Sequence, residues 1–260
     1  MKYLITIDID GTLKRSDDTI SERSKKIIQE LINQGHVIAI CSGRPRYFSS
    51  MIAKDALASS YLISSNGTEV YDIVNNKLIF SEYISKDVCK KIYDITKELN
   101  IRVVFSSGNI EYATQFIKND SQILLNDNNL DELLELNIKQ VVVVVDNNEA
   151  LKQYANRISN IKEVYVVDRS NENDDFKFIS VISSNASKGN ALKVLAKYLN
   201  IPMKNTIAIG NDNNDISMIK AANVGVAVDN ATDDLKKCAD VITKSNDLDG
   251  VACYLETLIK

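Results

Sequence analysis

Apolar positions in this chain recur with two alternating periods. Residues 3–7, Tyr-Leu-Ile-Thr-Ile, form a short β-branched run of the kind a buried strand shows. From Ser21 the spacing becomes helical, with Ile27, Ile28, Leu31 and Ile32 following Ser-Glu-Arg-Ser, and Gly35 closes the segment. Residues 36–41 return to a strand pattern, 47–57 read as a helix and 61–64 as a third strand. Asn66-Gly67 marks a turn into a hairpin with strands near 69–73 and 77–80. Strands alternating with helices in this way imply a parallel sheet with right-handed crossovers.

The texture changes from about residue 84 to 183. A helix is predicted at 87–99, strands at 101–106 and 110–114, a short helical stretch near 130–136 and a strand at 140–146. A helix at 149–158 and strands at 163–168 and 176–182 complete the region, and Asn126 to Asn129 reads as a polar turn. Helices with several adjacent strands predict an α+β unit inserted into the first domain. The α/β pattern then resumes with a helix at 187–198, a strand at 206–209, a helix carrying Ile216 and Ile219, a strand at 224–228 and a last helix at 248–259. The expected fold class is α/β, a Rossmann-like parallel-sheet core made of 1–82 and 185–260, interrupted by an α+β domain at 83–184.

With 260 residues, 45% of them hydrophobic, the chain can build more than one core. A net charge of −4 gives no general attraction to nucleic acid or to an anionic membrane, so neither is an expected partner. The longest β-branched run, 141–145, suits a strand and not a membrane span, and the first residues lack a signal-peptide pattern. Cys41, Cys89, Cys238 and Cys253 are scattered without a Cys-x-x-Cys pair, which points to a reduced, cytoplasmic setting. Cys41 is expected to fill core space. His36 is the only histidine, so zinc is a poor fit and any metal should rest on oxygen ligands, which points to magnesium.

The first strand stops at two carboxylates. Alternate strand residues share a face, so Asp8 and Asp10 project together from its carboxyl end unless the backbone turns there, and that end is where ligands bind in open α/β sheets. A calcium loop counted from Asp8 fails, because Leu13 and Thr19 stand where glycine and glutamate are needed. Taken singly, the other polar clusters have ordinary readings: Ser42 to Pro45 a turn, Lys188 a solvated charge at a helix start, Asn214 a helix cap. Together, Asp8/Asp10, Ser42/Gly43, Lys188 and the run from Asn211 to Asp215 all fall at element ends of one domain and suit a phosphate ester. A carboxylate can attack phosphorus, a second can move the proton, and a cation, a lysine and hydroxyl or amide donors can neutralise the phosphoryl oxygens.

At this point the chain resembles the haloacid dehalogenase superfamily of aspartyl-phosphate phosphatases, and within it the Cof-type branch with a C2-type cap. Asp-Ile-Asp-Gly-Thr-Leu, Ser-Gly-Arg-Pro, Asn-Gly-Thr, Ser-Lys-Gly-Asn-Ala-Leu and Asn-Asp-Ile-Ser-Met occur in the family's order. The resemblance implies Asp8 as nucleophile and metal ligand, and Asp10 as general acid/base with its main-chain carbonyl on the metal. It implies the backbone at Ile9, Ser42, Gly43, Lys188 and Asn214 as the phosphoryl cradle, Asp215 as support for the metal shell, and Arg44 and Asn66 as residues of the site floor or substrate contacts. One departure stands out: where the family shows Gly-Asp-x-x-Asn-Asp, Gly210 is followed by Asn211, with Asp212 one place on. Asn211 can ligate magnesium through its amide oxygen but brings no charge, and whether it or Asp212 is the ligand is left open. The expected activity is magnesium-dependent hydrolysis of a small phosphorylated metabolite, a sugar phosphate; a sugar phosphomutase and a non-catalytic ligand-binding regulator are the alternatives.

Overall fold

The computed structural model describes residues 2–56, 61–108, 110–115, 122–145, 148–168 and 177–259. The chain divides into two compact units, Met1–Ser81 with Ser187–Lys260, and Glu82–Ala186. The first unit opens with β1 (Leu4–Ile7), α1 (Glu22–Asn33), β2 (Val37–Cys41), α2 (Arg46–Asp55), β3 (Tyr61–Ser64), β4 (Glu69–Asp72) and β5 (Lys77–Ser81). The second holds α3 (Lys86–Leu99), β6 (Arg102–Ser106), β7 (Glu111–Ala113), β8 (Gln122–Leu124), α4 (Leu130–Leu134), β9 (Gln140–Val145), α5 (Asn148–Ser159), β10 (Val164–Asp168) and β11 (Lys177–Ser183). The first unit resumes with α6 (Lys188–Tyr198), β12 (Thr206–Gly210), α7 (Ile216–Ala221), β13 (Val224–Ala227), α8 (Asp233–Cys238), β14 (Val241–Ile242) and α9 (Gly250–Leu255).

In the first unit the strands lie in the order β14-β13-β12-β1-β2-β3-β4-β5. From β14 to β3 every pairing is parallel, and β3, β4 and β5 close the edge as antiparallel neighbours. Leu4, Ile5, Thr6 and Ile7 are all buried, as a central parallel strand covered on both faces requires. The helix α1 follows its sequence signals closely. Ser21 caps it by accepting from the Ser24 amide at 3.1 Å, Ile27, Ile28 and Leu31 enter the core, and Gly35 turns the chain back at φ +89°. Cys41 lies in this core, and His36 accepts a hydrogen bond from the Tyr3 amide.

The second unit has its own sheet, β10-β11-β9-β6-β7-β8, antiparallel except for β7 beside β8. Val141, Val143 and Val145 project to one face and pack with Ile92 and Tyr93 of α3 and with Tyr154 and Ile158 of α5. The predicted helix end at 57 and the strand ends at 146 and 176 lie outside the described residues. Three elements went unpredicted: β8, β14 and α8. Among the described residues no helix is long and apolar enough to cross a membrane.

Candidate active site

Beyond β1 the chain makes one wide turn, Leu13 N–H reaching the Asp8 carbonyl at 3.3 Å and Lys14 N–H the Ile9 carbonyl at 3.0 Å, with Gly11 at φ +74°. This turn buries the side chains of Ile9 and Leu13 in the core and sends the two aspartates different ways. Asp8 is almost fully buried, whereas Asp10 is exposed. The strict two-residue alternation expected from an extended strand is therefore broken by the turn.

Lys188 enters from the first turn of α6, where Ser187 caps the helix, and is itself buried. Its Nζ donates to Asp8 Oδ1 at 2.6 Å and to Asp215 Oδ1 at 2.5 Å. Burial opposes the charge on Lys188, but the Asp215 and Asp8 carboxylates outweigh it and hold the ammonium above its usual range. Asp8 feels the converse. Burial, then the Asp215 charge, push its carboxyl up to about 7 against the pull of Lys188. One cation thus bridges two buried carboxyl groups.

The loop after β12 explains Asp215. Its second oxygen, Oδ2, accepts from the Asn211 and Asp212 amides at 3.0 and 3.1 Å, so both of its oxygens are engaged in folding the loop and orienting Lys188. Asp212 caps the same turn, accepting from the Asn213 amide at 2.7 Å. It is Asn211 whose side chain reaches the aspartates. Its outer amide atom lies 3.2 Å from Asp8 Oδ2, 2.9 Å from the Asp10 carbonyl and 2.8 Å from Thr12 Oγ1. Among the described residues no three His, Cys, Asp or Glu side chains converge. The oxygen-rich corner is built from a carboxylate, a main-chain carbonyl and an amide, a donor set that fits a hard dication such as magnesium. Thr12 was not singled out beforehand, although it stands in the same motif as Asp8 and Asp10.

Ser42 directly follows β2, its hydroxyl oxygen accepting from the Arg44 amide at 3.1 Å, which leaves the hydroxyl proton to donate elsewhere. Asn66, at φ +57°, ties two clusters together. Its amide donates to the Ser42 carbonyl at 3.1 Å, and its Oδ1 accepts from Asn214 Nδ2 at 3.0 Å. A Cβ on Gly43 would come within 2.9 Å of that same Oδ1, so glycine is what lets the two loops close up. Arg44 grips Asp10 with both arms, Nε to Oδ2 at 2.7 Å and Nη2 to Oδ1 at 2.8 Å. Hydrogen-bonding to Asp10 raises the Arg44 guanidinium further above its already high range. Every residue expected at the site is thus at or beside the carboxyl ends of β1, β2, β3 and β12, or at the start of α6.

Known proteins give this arrangement its context. The haloacid dehalogenase-like hydrolase family matches the chain over residues 5–255. Two Bacillus subtilis proteins named as 5-amino-6-(5-phospho-D-ribitylamino)uracil phosphatases are similar along nearly their whole length. YitU is 28% identical over 98% of this chain and 96% of its own, and YcsE is 30% identical over 96% and 92%. A haloacid dehalogenase-like hydrolase from Bacteroides thetaiotaomicron has a TM-score of 0.85 at 25% identity, covering 100% of both chains. One from B. subtilis has a TM-score of 0.83 at 28% identity, covering 99% of this chain and 100% of its own. By sequence, by fold and by the order of its polar clusters, this chain belongs to the haloacid dehalogenase-like hydrolase family.

Proposed function

We propose that this phosphatase hydrolyses a small phosphorylated metabolite, a sugar or sugar-alcohol phosphate, through an aspartyl-phosphate intermediate on Asp8, with magnesium at the site. The observation that carries the reading is the division of labour at Asp8, whose Oδ1 is held by Lys188 while Oδ2 faces Asn211 and the Asp10 carbonyl. In this reading Asp8, the Asp10 carbonyl and Asn211 hold the cation, and Asp215 supports them by fixing the loop. Bound magnesium supplies charge neutralisation between the incoming phosphate and the aspartates.

The rest is done by the chain's own groups. Lys188, the Ser42 hydroxyl, the Gly43 and Ile9 backbone and Asn214 hold the phosphoryl oxygens. An Asp8 oxygen bonds to phosphorus as the bond to the leaving alkoxide breaks, and Asp10 protonates that oxygen. Asp10 then takes a proton from water, the water oxygen bonds to phosphorus, and inorganic phosphate leaves with Asp8 restored. With both oxygens on Arg44, Asp10 has to be released before it can hand over a proton. An anionic ester competing for Arg44 would do that, which gives Arg44 a substrate-linked role.

The two named relatives make their phosphorylated ribitylaminouracil the first compound to assay, within a panel of sugar phosphates. Asp8→Asn should fold and lose all but a few per cent of turnover on every ester. Asp10→Asn should lose least with aryl esters, whose leaving groups need little protonation. Release of inorganic phosphate is the expected product; isomerised sugar phosphate would identify a mutase instead. An Asp8→Asn enzyme that keeps its activity would overturn the mechanism.

A further inference from the structure

The corner where Asn211 meets Asp8 and Asp10 presents a problem in hydrogen-bond complementarity. With Asp8 ionised, its Oδ2 and the Asp10 carbonyl accept only, and Thr12 Oγ1 can do either, yet all three lie within 3.2 Å of one atom of the Asn211 amide. With nitrogen in that position the amide donates toward all three. With oxygen there, Thr12 donates to it at 2.8 Å, but two further oxygens face it without a proton between them. While Asp8 is ionised, that second arrangement is favourable only with a cation among the three oxygens. The amide therefore has two orientations related by a half-turn, each matched to a different occupancy of the site.

Three features confine the change to that half-turn. The Asn211 backbone is pinned on both sides, its N–H donating to Asp215 Oδ2 at 3.0 Å and its carbonyl accepting from the Thr232 amide at 2.9 Å. The other amide atom faces Gly11, where a Cβ would come within 2.5 Å of it, so the glycine supplies the clearance. Thr12 is buried and serves as acceptor in one orientation and donor in the other, so neither leaves it unpaired.

We propose that the Asn211 amide turns over with cation binding, its nitrogen standing in for the cation when none is bound and its oxygen ligating magnesium when one is. This rests on the metal corner of the proposed function, and it gives the departure from the family's aspartate a purpose. An aspartate would attract magnesium more strongly, but without the cation it would set another carboxylate oxygen against Asp8 and Asp10. Asparagine exchanges affinity for a site that is at ease both with and without metal.

Side-chain amide resonances of the 15N-labelled full-length protein test this without turnover. Asn211 is assigned by the pair of signals missing from Asn211→Asp, and spectra are taken in EDTA and through a magnesium titration at constant alkaline pH and constant ionic strength. The expected result is a large, saturable shift of the Asn211 side-chain pair, together with backbone shifts at Asp8 to Thr12. In parallel, Asn211→Asp should melt at lower temperature than the parent in EDTA, gain more from saturating magnesium, and bind the ion on the order of tenfold more tightly. Backbone shifts at Asp8 to Thr12 with an unmoved Asn211 side chain would overturn the turnover of the amide alone. An absence of any magnesium response there would overturn the metal corner with it. An Asn211→Asp protein as stable as the parent in EDTA would show that the nitrogen does not stand in for a cation.

Discussion

Burying Asp8 beside Asp215 fixes how the protein responds to pH when magnesium is withheld. The folded chain keeps a proton on Asp8 up to about 7, whereas the unfolded chain releases it near 3.8. Between those values the native state binds more protons, so stability falls as pH rises through the window. In EDTA the parent should therefore lose more melting temperature between pH 5 and 7.5 than Asp8→Asn does, by at least about 5 °C. Equal slopes for the two proteins would mean that Asp8 ionises freely. At this scale the sequence was informative about which residues matter and silent about how they pair. Asp8, Asp10, Ser42, Lys188 and Asn211 to Asp215 stand out because each follows a strand or opens a helix. The grip of Arg44 on Asp10, 34 residues apart, and of Asn214 on Asn66, 148 apart, depends on side-chain reach across loops, which no periodicity records.

Among the elements, the short turn between β3 and β4 does more than reverse the chain. Ser65, Asn66 and Gly67 all have positive φ, and a Cβ on Gly67 would come within 2.2 Å of the Ser187 carbonyl. The turn is seated directly on the start of α6, the helix that delivers Lys188. Gly67→Ala should therefore lower both stability and affinity for inorganic phosphate, with Lys188 displaced. Gly35→Ala is the matched control, since Gly35 also has positive φ but nothing lies within 4 Å of its Cβ position. It should cost only about 1 kcal/mol in a urea melt and leave phosphate binding unchanged. Similar losses from the two substitutions would argue against the seating. Periodicity found α1, α3 and α6 because each has a broad apolar face. It missed α8, whose Asp-Asp-Leu-Lys-Lys-Cys buries Leu235 alone, and β8, where Ile123 and Leu124 are exposed. Elements this short form because their neighbours hold them, a cause that lies elsewhere in the chain.

For the whole molecule, the two units have separate hydrophobic clusters. Replacing 82–186 by a short linker should leave a first unit that still melts cooperatively and still hydrolyses small aryl phosphates. Loss of cooperative melting in that protein would show that the insertion is needed to complete the core. The change of texture along the sequence, where mixed strands and helices replace strict alternation, puts the edges of the insertion at 83 and 184; the second compact unit runs from Glu82 to Ala186. Residue-by-residue pairing of the sheet, by contrast, depends on long-range geometry. Leu4 in β1 lies opposite Thr206 in β12, with the whole insertion between them in the chain. Because β1 precedes β12 by the whole insertion, during synthesis it emerges well before the strand that covers one of its sides. Until β12 follows, a largely apolar strand edge stands open, the kind of surface that invites pairing with another copy. The pace of synthesis and the help of chaperones, more than final stability, would then govern how much active protein a cell recovers.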